Sequence, residues 1–148
     1  MKQSIGIAEI LIVEDSEDHF ELVRDALEDW GVANSLHHAP TIAAAREHLA
    51  ELKGLAQALP CIILLDLHLP DGDGLEFLNE IRKDAVLALI PIIVLTSVED
   101  PAIITAAYQN GANSYIVKPV RASNFHQVVG QTGLYWAVVN HRVPLAVS

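Results

Sequence analysis

The 148 residues, of which 51% are hydrophobic, have the length and composition of one globular domain and exclude a disordered chain. Lys and Arg number 9 against 19 Asp and Glu, and the formal charge of −10 disfavours binding to nucleic-acid phosphates. A lone cysteine, Cys61, excludes an intrachain disulfide, and no apolar stretch is long enough for a membrane span. The N-terminal apolar patch at residues 5–8 is interrupted by Glu9 and does not form the apolar region of a secretory signal. We therefore expect a cytoplasmic protein that binds neither nucleic acid nor membrane.

Strand and helix patterns alternate five times along the chain. Short apolar runs rich in β-branched residues predict strands at residues 10–13, 35–39, 61–67, 91–95 and 114–117. Between and after them, helical spacing and capping residues predict helices at residues 16–30, about 41–54, 75 to between 82 and 85, 100–110, and from about 123 onward. This alternation predicts right-handed βαβ units and an open, doubly wound parallel sheet with helices on both faces.

Polar residues follow the predicted strands where function collects in such sheets, at the carboxyl ends. Glu14 and Asp15 follow the first strand, Asp66 the third, Thr96 the fourth and Lys118 the fifth. Three carboxylates brought together repel one another, and Mg²⁺ with oxygen ligands would neutralise them. An adjacent ammonium and hydroxyl suit the oxygens of a phosphoryl group, so the pattern predicts a carboxylate that becomes phosphorylated.

The turn after Asp66 invites a different interpretation, because Asp71-Gly-Asp73-Gly begins like a calcium-binding loop. Such a loop needs an acid or amide at its fifth position and Glu at its twelfth, where this chain has Leu75 and Arg82. We therefore set calcium binding aside. The adjacent His37 and His38 would point to opposite faces of a strand and cannot readily share one metal ion.

Four motifs in this order resemble the chemotaxis-type (CheY-like) response-regulator receiver domain. They are Val13-Glu-Asp-Ser16, Leu65-Asp66-Leu-His-Leu-Pro70 with Asp73-Gly74, Leu95-Thr96-Ser97 and Tyr115-Ile-Val-Lys118-Pro119. The intervals of 30 residues from Asp66 to Thr96 and 22 from Thr96 to Lys118 match the family. The resemblance covers residues 8–130 and implies a flavodoxin-like sheet of strand order 2-1-3-4-5. Residues 1–148 would then form one receiver domain whose C-terminal extension is residues 131–148.

The resemblance also implies the chemistry of the site. Asp66 would be the phosphoacceptor, phosphorylated by the phosphohistidine of a sensor histidine kinase. Mg²⁺ would be bound by Asp15, by Asp66 and by the backbone carbonyl of His68, with Glu14 orienting a metal-bound water. Lys118 would bind a phosphoryl oxygen.

The resemblance further implies a two-state switch. Thr96 would move to the phosphoryl group and Tyr115 would rotate inward, which would alter the surface formed by helix 4, strand 5 and helix 5. The Lys118–Pro119 peptide bond would be cis. Three residues around the acyl phosphate are expected to modulate its lifetime: His68, Val98 and Ser97.

A narrower resemblance concerns the subfamily. Residues 52–60, Tyr135-Trp136 and residues 143–145 are similar to the single-domain regulators that pair with cyanobacterial and bacterial phytochrome kinases. It implies a phytochrome-type kinase as partner and a homodimer through helix 4, strand 5, helix 5 and the tail. The apolar stripe of Leu134, Tyr135 and Val138 would belong to that interface, or would instead pack against the returning tail.

Other functions are compatible with parts of the pattern. A phosphatase of the haloacid dehalogenase type has a second acid two residues after its nucleophile, where this chain has His68. A flavodoxin-like cofactor protein needs a phosphate-binding loop, and none follows the first strand. A degenerate receiver acting as a constitutive interaction module would have lost an acid, the threonine or the lysine. We expect a phosphoacceptor switch rather than an enzyme, with the degenerate receiver as the alternative.

Overall fold

The main sheet has five parallel strands. The computed structural model describes residues 9–55, 59–118 and 122–140. In chain order the strands are β1 (Ile10–Val13), β2 (Leu36–Ala39), β3 (Ile62–Leu65), β4 (Ile92–Thr96) and β5 (Ser114–Val117). Their spatial order is β2-β1-β3-β4-β5, and every neighbouring pair is parallel. The predicted doubly wound α/β architecture and strand order are confirmed.

Five α-helices connect and follow the strands. They are α1 (Glu17–Asp29), α2 (Ile42–Gly54), α3 (Gly74–Lys83), α4 (Pro101–Gln109) and α5 (Ala122–Leu134). Four of them begin at a side chain that accepts a hydrogen bond from a first-turn backbone N–H: Ser16, Thr41, Asp73 and Asp100. These short polar side chains satisfy donors that the helix leaves unpaired, which fixes where each helix starts.

The sheet separates two apolar layers. On β1, Leu11 and Val13 point to the layer that contains α2, α3 and α4, whereas Ile10 and Ile12 point to the layer that contains α1 and α5. All four residues of β1 are buried, so both faces of this strand are covered. In the described ranges, no helix is long and apolar enough to cross a membrane.

Helix α5 packs tightly on α1 because two of its residues lack a side chain. A Cβ atom on Gly130 would lie 2.2 Å from Cδ1 of Trp30, and one on Gly133 would lie 2.1 Å from Cδ2 of Leu27. The two glycines weaken the helix by about 1 kcal/mol each relative to alanine. The close contact with α1 offsets that intrinsic weakness.

Three short elements were not predicted from the sequence. A two-stranded hairpin, His68–Leu69 with Gly72–Asp73, follows β3, and a 3₁₀ turn covers Leu87–Leu89. The last helix continues beyond α5 as a π-helical segment, Tyr135–Val139. The predicted cis bond at Pro119 and the apolar tail at residues 143–147 lie outside the described residues.

Candidate functional site

The carboxyl ends of β1 and β3 place two buried acids side by side. Val13 and Leu65 are register partners, so the residues that follow them, Glu14 and Asp66, leave the sheet together. The N–H of Asp66 donates to the carbonyl of Val13 at 3.0 Å, which holds the two strand ends in contact. Glu14 is 3% and Asp66 is 7% exposed. Two carboxylates this poorly hydrated need positive charge nearby.

Asp15 completes a group of three carboxylates. One oxygen from each of Glu14, Asp15 and Asp66 can be chosen so that all lie within 4.8 Å of one another, and Asp15 is exposed to solvent. Only oxygen ligands are present in this group, which fits a hard cation such as Mg²⁺ rather than a metal that prefers nitrogen or sulfur. The exposed position of Asp15 leaves the site open to an ion from solution.

Lys118 supplies positive charge to this group. Its side chain is 5% exposed, and its Nζ lies 2.6 Å from Oε1 of Glu14 and 3.2 Å from Oδ2 of Asp66. The Lys118 backbone N–H donates to the carbonyl of Thr96 at 2.7 Å, which ties the residue after β5 to β4. One ammonium between three carboxylates leaves an excess of negative charge, so the site attracts a further cation.

Two histidines adjoin this cluster that the sequence analysis did not assign to it. Nδ1 of His19, in α1, lies 3.2 Å from Nζ of Lys118 and 3.7 Å from Oε2 of Glu14. Nε2 of His38, in β2, lies 2.6 Å from the backbone carbonyl oxygen of Glu14. The signal for His19 is its spacing, because it lies one helical turn after Asp15 on the helix that starts at the site.

Asp66 is oriented by the turn that follows it. The backbone N–H of His68 donates to Oδ1 of Asp66 at 3.1 Å, which leaves Oδ2 facing Lys118. Gly74, the first residue of α3, lies directly against this turn: a Cβ there would be 2.7 Å from Cα of Leu67 and 2.8 Å from the carbonyl oxygen of Asp66. Glycine is required because the start of the helix touches the backbone that carries the acid.

Asp71 has a structural part in the same turn. Its two carboxylate oxygens each accept a hydrogen bond of 2.9 Å from the backbone N–H groups of Ile42 and Ala43 at the start of α2. These two bonds lower the pKa of Asp71, because they favour its charged form. The contact anchors the hairpin to α2 and explains the acid without a calcium ion.

Thr96 and Tyr115 lie next to the acidic cluster but differ in their hydrogen bonding. Thr96 is fully buried, and within the described part of the chain its Oγ1 has no hydrogen-bond partner. The hydroxyl of Tyr115 donates to the carbonyl oxygen of Val98 at 2.6 Å, and its ring packs against the core. Burial raises the pKa of Tyr115, and the charges of Asp66 and Asp100 raise it further. The tyrosine therefore stays a neutral donor.

The three predicted modulators follow the ends of β3 and β4 in the chain. His68 and Ser97 are exposed and Val98 is half-buried. Val98 and His68 also line one groove between the hairpin and α4, together with Ile103. Their predicted influence on the lifetime of the acyl phosphate stays a prediction.

The chain matches a known protein family over most of its length. The family model of the response regulator receiver domain matches residues 10–130. The chain belongs to this family. Receiver domains are signalling switches rather than typical enzymes. The matched residues include every strand of the main sheet. It also includes each acid at the strand ends, the buried threonine and the lysine.

Individual relatives are similar over most of their length. The chain is 35% identical over 127 residues to the probable methanogenesis regulatory protein FilR2 of Methanothrix harundinacea (strain 6Ac), which covers 86% of this chain and 82% of FilR2. It is 32% identical over 134 residues to response regulator Rcp1 of Synechocystis sp. (strain ATCC 27184 / PCC 6803 / Kazusa), which covers 86% of this chain and 87% of Rcp1.

Solved structures agree with this receiver-domain assignment. The phosphorylated cyanobacterial phytochrome response regulator RcpA superposes with a TM-score of 0.81 at 31% identity, over 91% of this chain and 97% of RcpA. The Mn²⁺-bound form of Rcp1 also gives 0.81, at 28% identity over 93% of this chain and 99% of Rcp1. The similarity to phytochrome-associated regulators that the sequence indicated is confirmed.

Proposed function

We propose that this receiver domain is a phosphoacceptor switch in which Asp66 accepts a phosphoryl group from a histidine kinase. The observation that carries the proposal is the set of polar groups around the Asp66 carboxylate. One oxygen is held by the N–H of His68 and the other faces Lys118, with two further acids nearby. The buried hydroxyl of Thr96 has no hydrogen-bond partner among the residues that the structure describes. Each of these groups would interact with a phosphoryl group on Asp66 or with the metal ion beside it.

In the transfer, an Asp66 oxygen attacks phosphorus, an O–P bond forms and the P–N bond to the kinase histidine breaks. The leaving imidazole retains the bonding electron pair. Oδ1 accepts the backbone N–H of His68 and Oδ2 accepts from Lys118, so Oδ2 becomes the free nucleophile once Lys118 turns toward the phosphoryl group. Lys118, which lies between Asp66 and Glu14, would follow the negative charge onto a phosphoryl oxygen.

The same carboxylates would hold Mg²⁺. Asp15 and Asp66 would be direct ligands with the His68 carbonyl, and Glu14 would act through a water molecule. When bound, Mg²⁺ supplies the positive charge that offsets repulsion between the acids and the incoming phosphoryl oxygens. Rcp1 has been solved in a Mn²⁺-bound form, which supports an ion of this class in a similar fold. Glu14 keeps its position through the N–H of Ser16, which donates to its Oε2 at 3.1 Å.

The switch would begin at Thr96. Its buried hydroxyl has no partner in the described structure, so a phosphoryl oxygen on Asp66 would offer it a first hydrogen bond. Movement of Thr96 toward that oxygen would leave space beside Tyr115, whose hydroxyl already bonds to Val98. The response would reach partners through the surface of α4, β5 and α5.

The partners follow from the relatives rather than from the site. Similarity to RcpA and to other phytochrome-associated regulators supports a histidine kinase of the phytochrome type, acting in the cytoplasm. A homodimer through α4, β5, α5 and the tail is the corresponding assembly. Tyr135 is half exposed on the continuation of α5 and forms an edge-to-face pair with Trp136, which places aromatic surface at that side.

The test is phosphorylation by acetyl phosphate with Mg²⁺, followed by phosphate-affinity electrophoresis and hydroxylamine treatment. We expect wild type to form a hydroxylamine-sensitive phosphoprotein and Asp66→Asn to form none. Asp71→Asn is the matched control, because Asp71 lies on the same turn but faces α2. Equal labelling of Asp66→Asn and wild type would refute the assignment of the acceptor.

A further inference from the structure

A second cluster of metal-ligating side chains lies at the other end of β1. Glu9 precedes β1, His37 lies in β2 and His48 lies in α2. Ligand atoms of these three residues can be chosen so that all lie within 4.8 Å of one another. The three side chains are half-buried, which distinguishes them from histidines scattered over a surface.

The contacts inside the cluster are close. Nε2 of His48 is hydrogen-bonded to Oε2 of Glu9. The rings of His37 and His48 are stacked, with centroids 3.5 Å apart and planes 7° from parallel. Burial, followed by the nearby His48, lowers the pKa of His37, because both disfavour the charged imidazole.

The surroundings are acidic and open to solvent. A surface cavity is lined by His37 and His48 together with Glu47 and Glu51 of α2. Both glutamates are exposed, and either can approach an ion bound by the histidines. Two imidazoles and a carboxylate are a common ligand set of Zn²⁺, which takes a fourth ligand from water or another side chain.

We propose that Glu9, His37 and His48 form a binding site for Zn²⁺ or a similar nitrogen-seeking divalent ion. The donor set selects against Mg²⁺, which prefers oxygen ligands, so this site and the acidic cluster around Asp66 take different ions. An imidazole coordinates in its own plane, so at least one ring turns out of the stack when the ion binds. The ion replaces the hydrogen bond between His48 and Glu9.

The two sites are separated by the length of β1. Glu9 precedes its first residue and Glu14 follows its last, a separation of roughly 15 Å for an extended chain. An ion at the new site joins the start of β1 to β2 and α2, and this cross-link between three elements stabilises the folded state by mass action. The two sites share no ligand residue, so the proposed phosphorylation does not require the ion at the new site.

The test is calorimetric titration of the whole chain with Zn²⁺ near neutral pH, with excess Mg²⁺ present to occupy the acidic cluster. We expect one equivalent of Zn²⁺ to bind and the midpoint of thermal unfolding to rise. Glu9→Gln and His48→Gln should each weaken the affinity at least tenfold. His126→Gln is the matched control, since His126 is a half-buried histidine paired with Asp29 on the α1–α5 side.

Three results would overturn the proposal. In the first, wild type binds no Zn²⁺ under these conditions. In the second, Glu9→Gln and His48→Gln bind as tightly as wild type while circular dichroism shows that they are folded. In the third, binding survives in both variants but is lost in Asp15→Asn, which would assign the ion to the acidic cluster instead.

Discussion

Replacing Thr96 by valine should stabilise the unphosphorylated protein, although most substitutions at fully buried positions destabilise. The Thr96 side chain is 0% exposed, and in the described structure its hydroxyl has no hydrogen-bond partner. Valine has nearly the same shape and places a methyl group where the hydroxyl was. The native fold thereby loses a buried polar group that it does not satisfy.

The size of the effect follows from that missing hydrogen bond. An unsatisfied buried hydroxyl destabilises the folded state by about 1–3 kcal/mol. Replacing it by a methyl group removes this penalty but adds a smaller steric cost, because the methyl group must fit the same space. Valine is also well suited to the central strand β4. We therefore expect Thr96→Val to raise the free energy of unfolding by about 1 kcal/mol, which corresponds to an increase of about 0.5 M in the urea midpoint.

The same substitution should reduce the response to phosphorylation. Beryllofluoride with Mg²⁺ mimics the acyl phosphate and should stabilise wild type by binding only the folded state. Thr96→Val should lose about 1.5–3 kcal/mol of that stabilisation, because it cannot donate a hydrogen bond to a charged oxygen. The variant should thus be more stable than wild type without beryllofluoride, and beryllofluoride should raise its free energy of unfolding by less than it raises that of wild type.

Urea unfolding followed by circular dichroism, in chelator and then with Mg²⁺ and beryllofluoride, measures both quantities. Thr41→Val is the matched control, because the Thr41 hydroxyl accepts a hydrogen bond from the N–H of Ala44 at 3.0 Å. It should lower the free energy of unfolding by about 1 kcal/mol. If Thr96→Val destabilises the unphosphorylated protein as much as the control does, the reasoning about the unpartnered hydroxyl is wrong.

Three further predictions concern packing, pH and phosphoryl lifetime. Gly74→Ala should lower the free energy of unfolding by about 2 kcal/mol in urea titrations, because its methyl group would overlap the backbone of the preceding turn; an unchanged midpoint would contradict this. The pKa of Asp84 is lowered from 3.8 to about 2, chiefly by its hydrogen bond with Lys53. Its stabilisation of about 1 kcal/mol is present above pH 3.8 and is lost as the pH falls toward 2. In Lys53→Met, the free energy of unfolding measured by acid titration should depend less steeply on pH over this range, while the backbone N–H groups of Val86 and Leu87 keep part of the effect; an unchanged pH dependence would contradict this. Exchanging His68→Asn and Val98→Glu together should change the autodephosphorylation rate by several-fold while labelling persists, and equal rates would exclude a modulating role.

The main sheet was predictable because its strands are marked by continuous apolar runs. Two of these strands, Ile10–Val13 and Ile62–Leu65, are buried on both faces. In a chain that alternates strands and helices, a short run of consecutive apolar residues is typical of a central parallel strand. The strand Leu36–Ala39 carries a weaker signal because two of its four residues are histidines. The hairpin arms His68–Leu69 and Gly72–Asp73 are too short to carry any periodicity.

The acidic cluster was predictable for a topological reason. Parallel strands end at one edge, so residues that follow β1, β3 and β5 meet whatever their separation in sequence. His19 was not assigned because its position depends on the rotation of α1 about its own axis. The group of Glu9, His37 and His48 was not found either, because one member precedes a strand, one lies within a strand and one lies in a helix. No single spacing rule connects three such elements.

His37 and His38 are neighbours in β2 but belong to different sites. Neighbouring residues of β2 point to opposite faces, and the structure follows this rule: His37 stacks on His48 of α2, whereas His38 stacks on Phe20 of α1 at 4.2 Å. His38 then reaches the carbonyl oxygen of Glu14 and supports the acidic cluster. Strand alternation thus directs one histidine to the acidic cluster and its neighbour to the proposed zinc site, so exchanging either one should affect only the site on its own face.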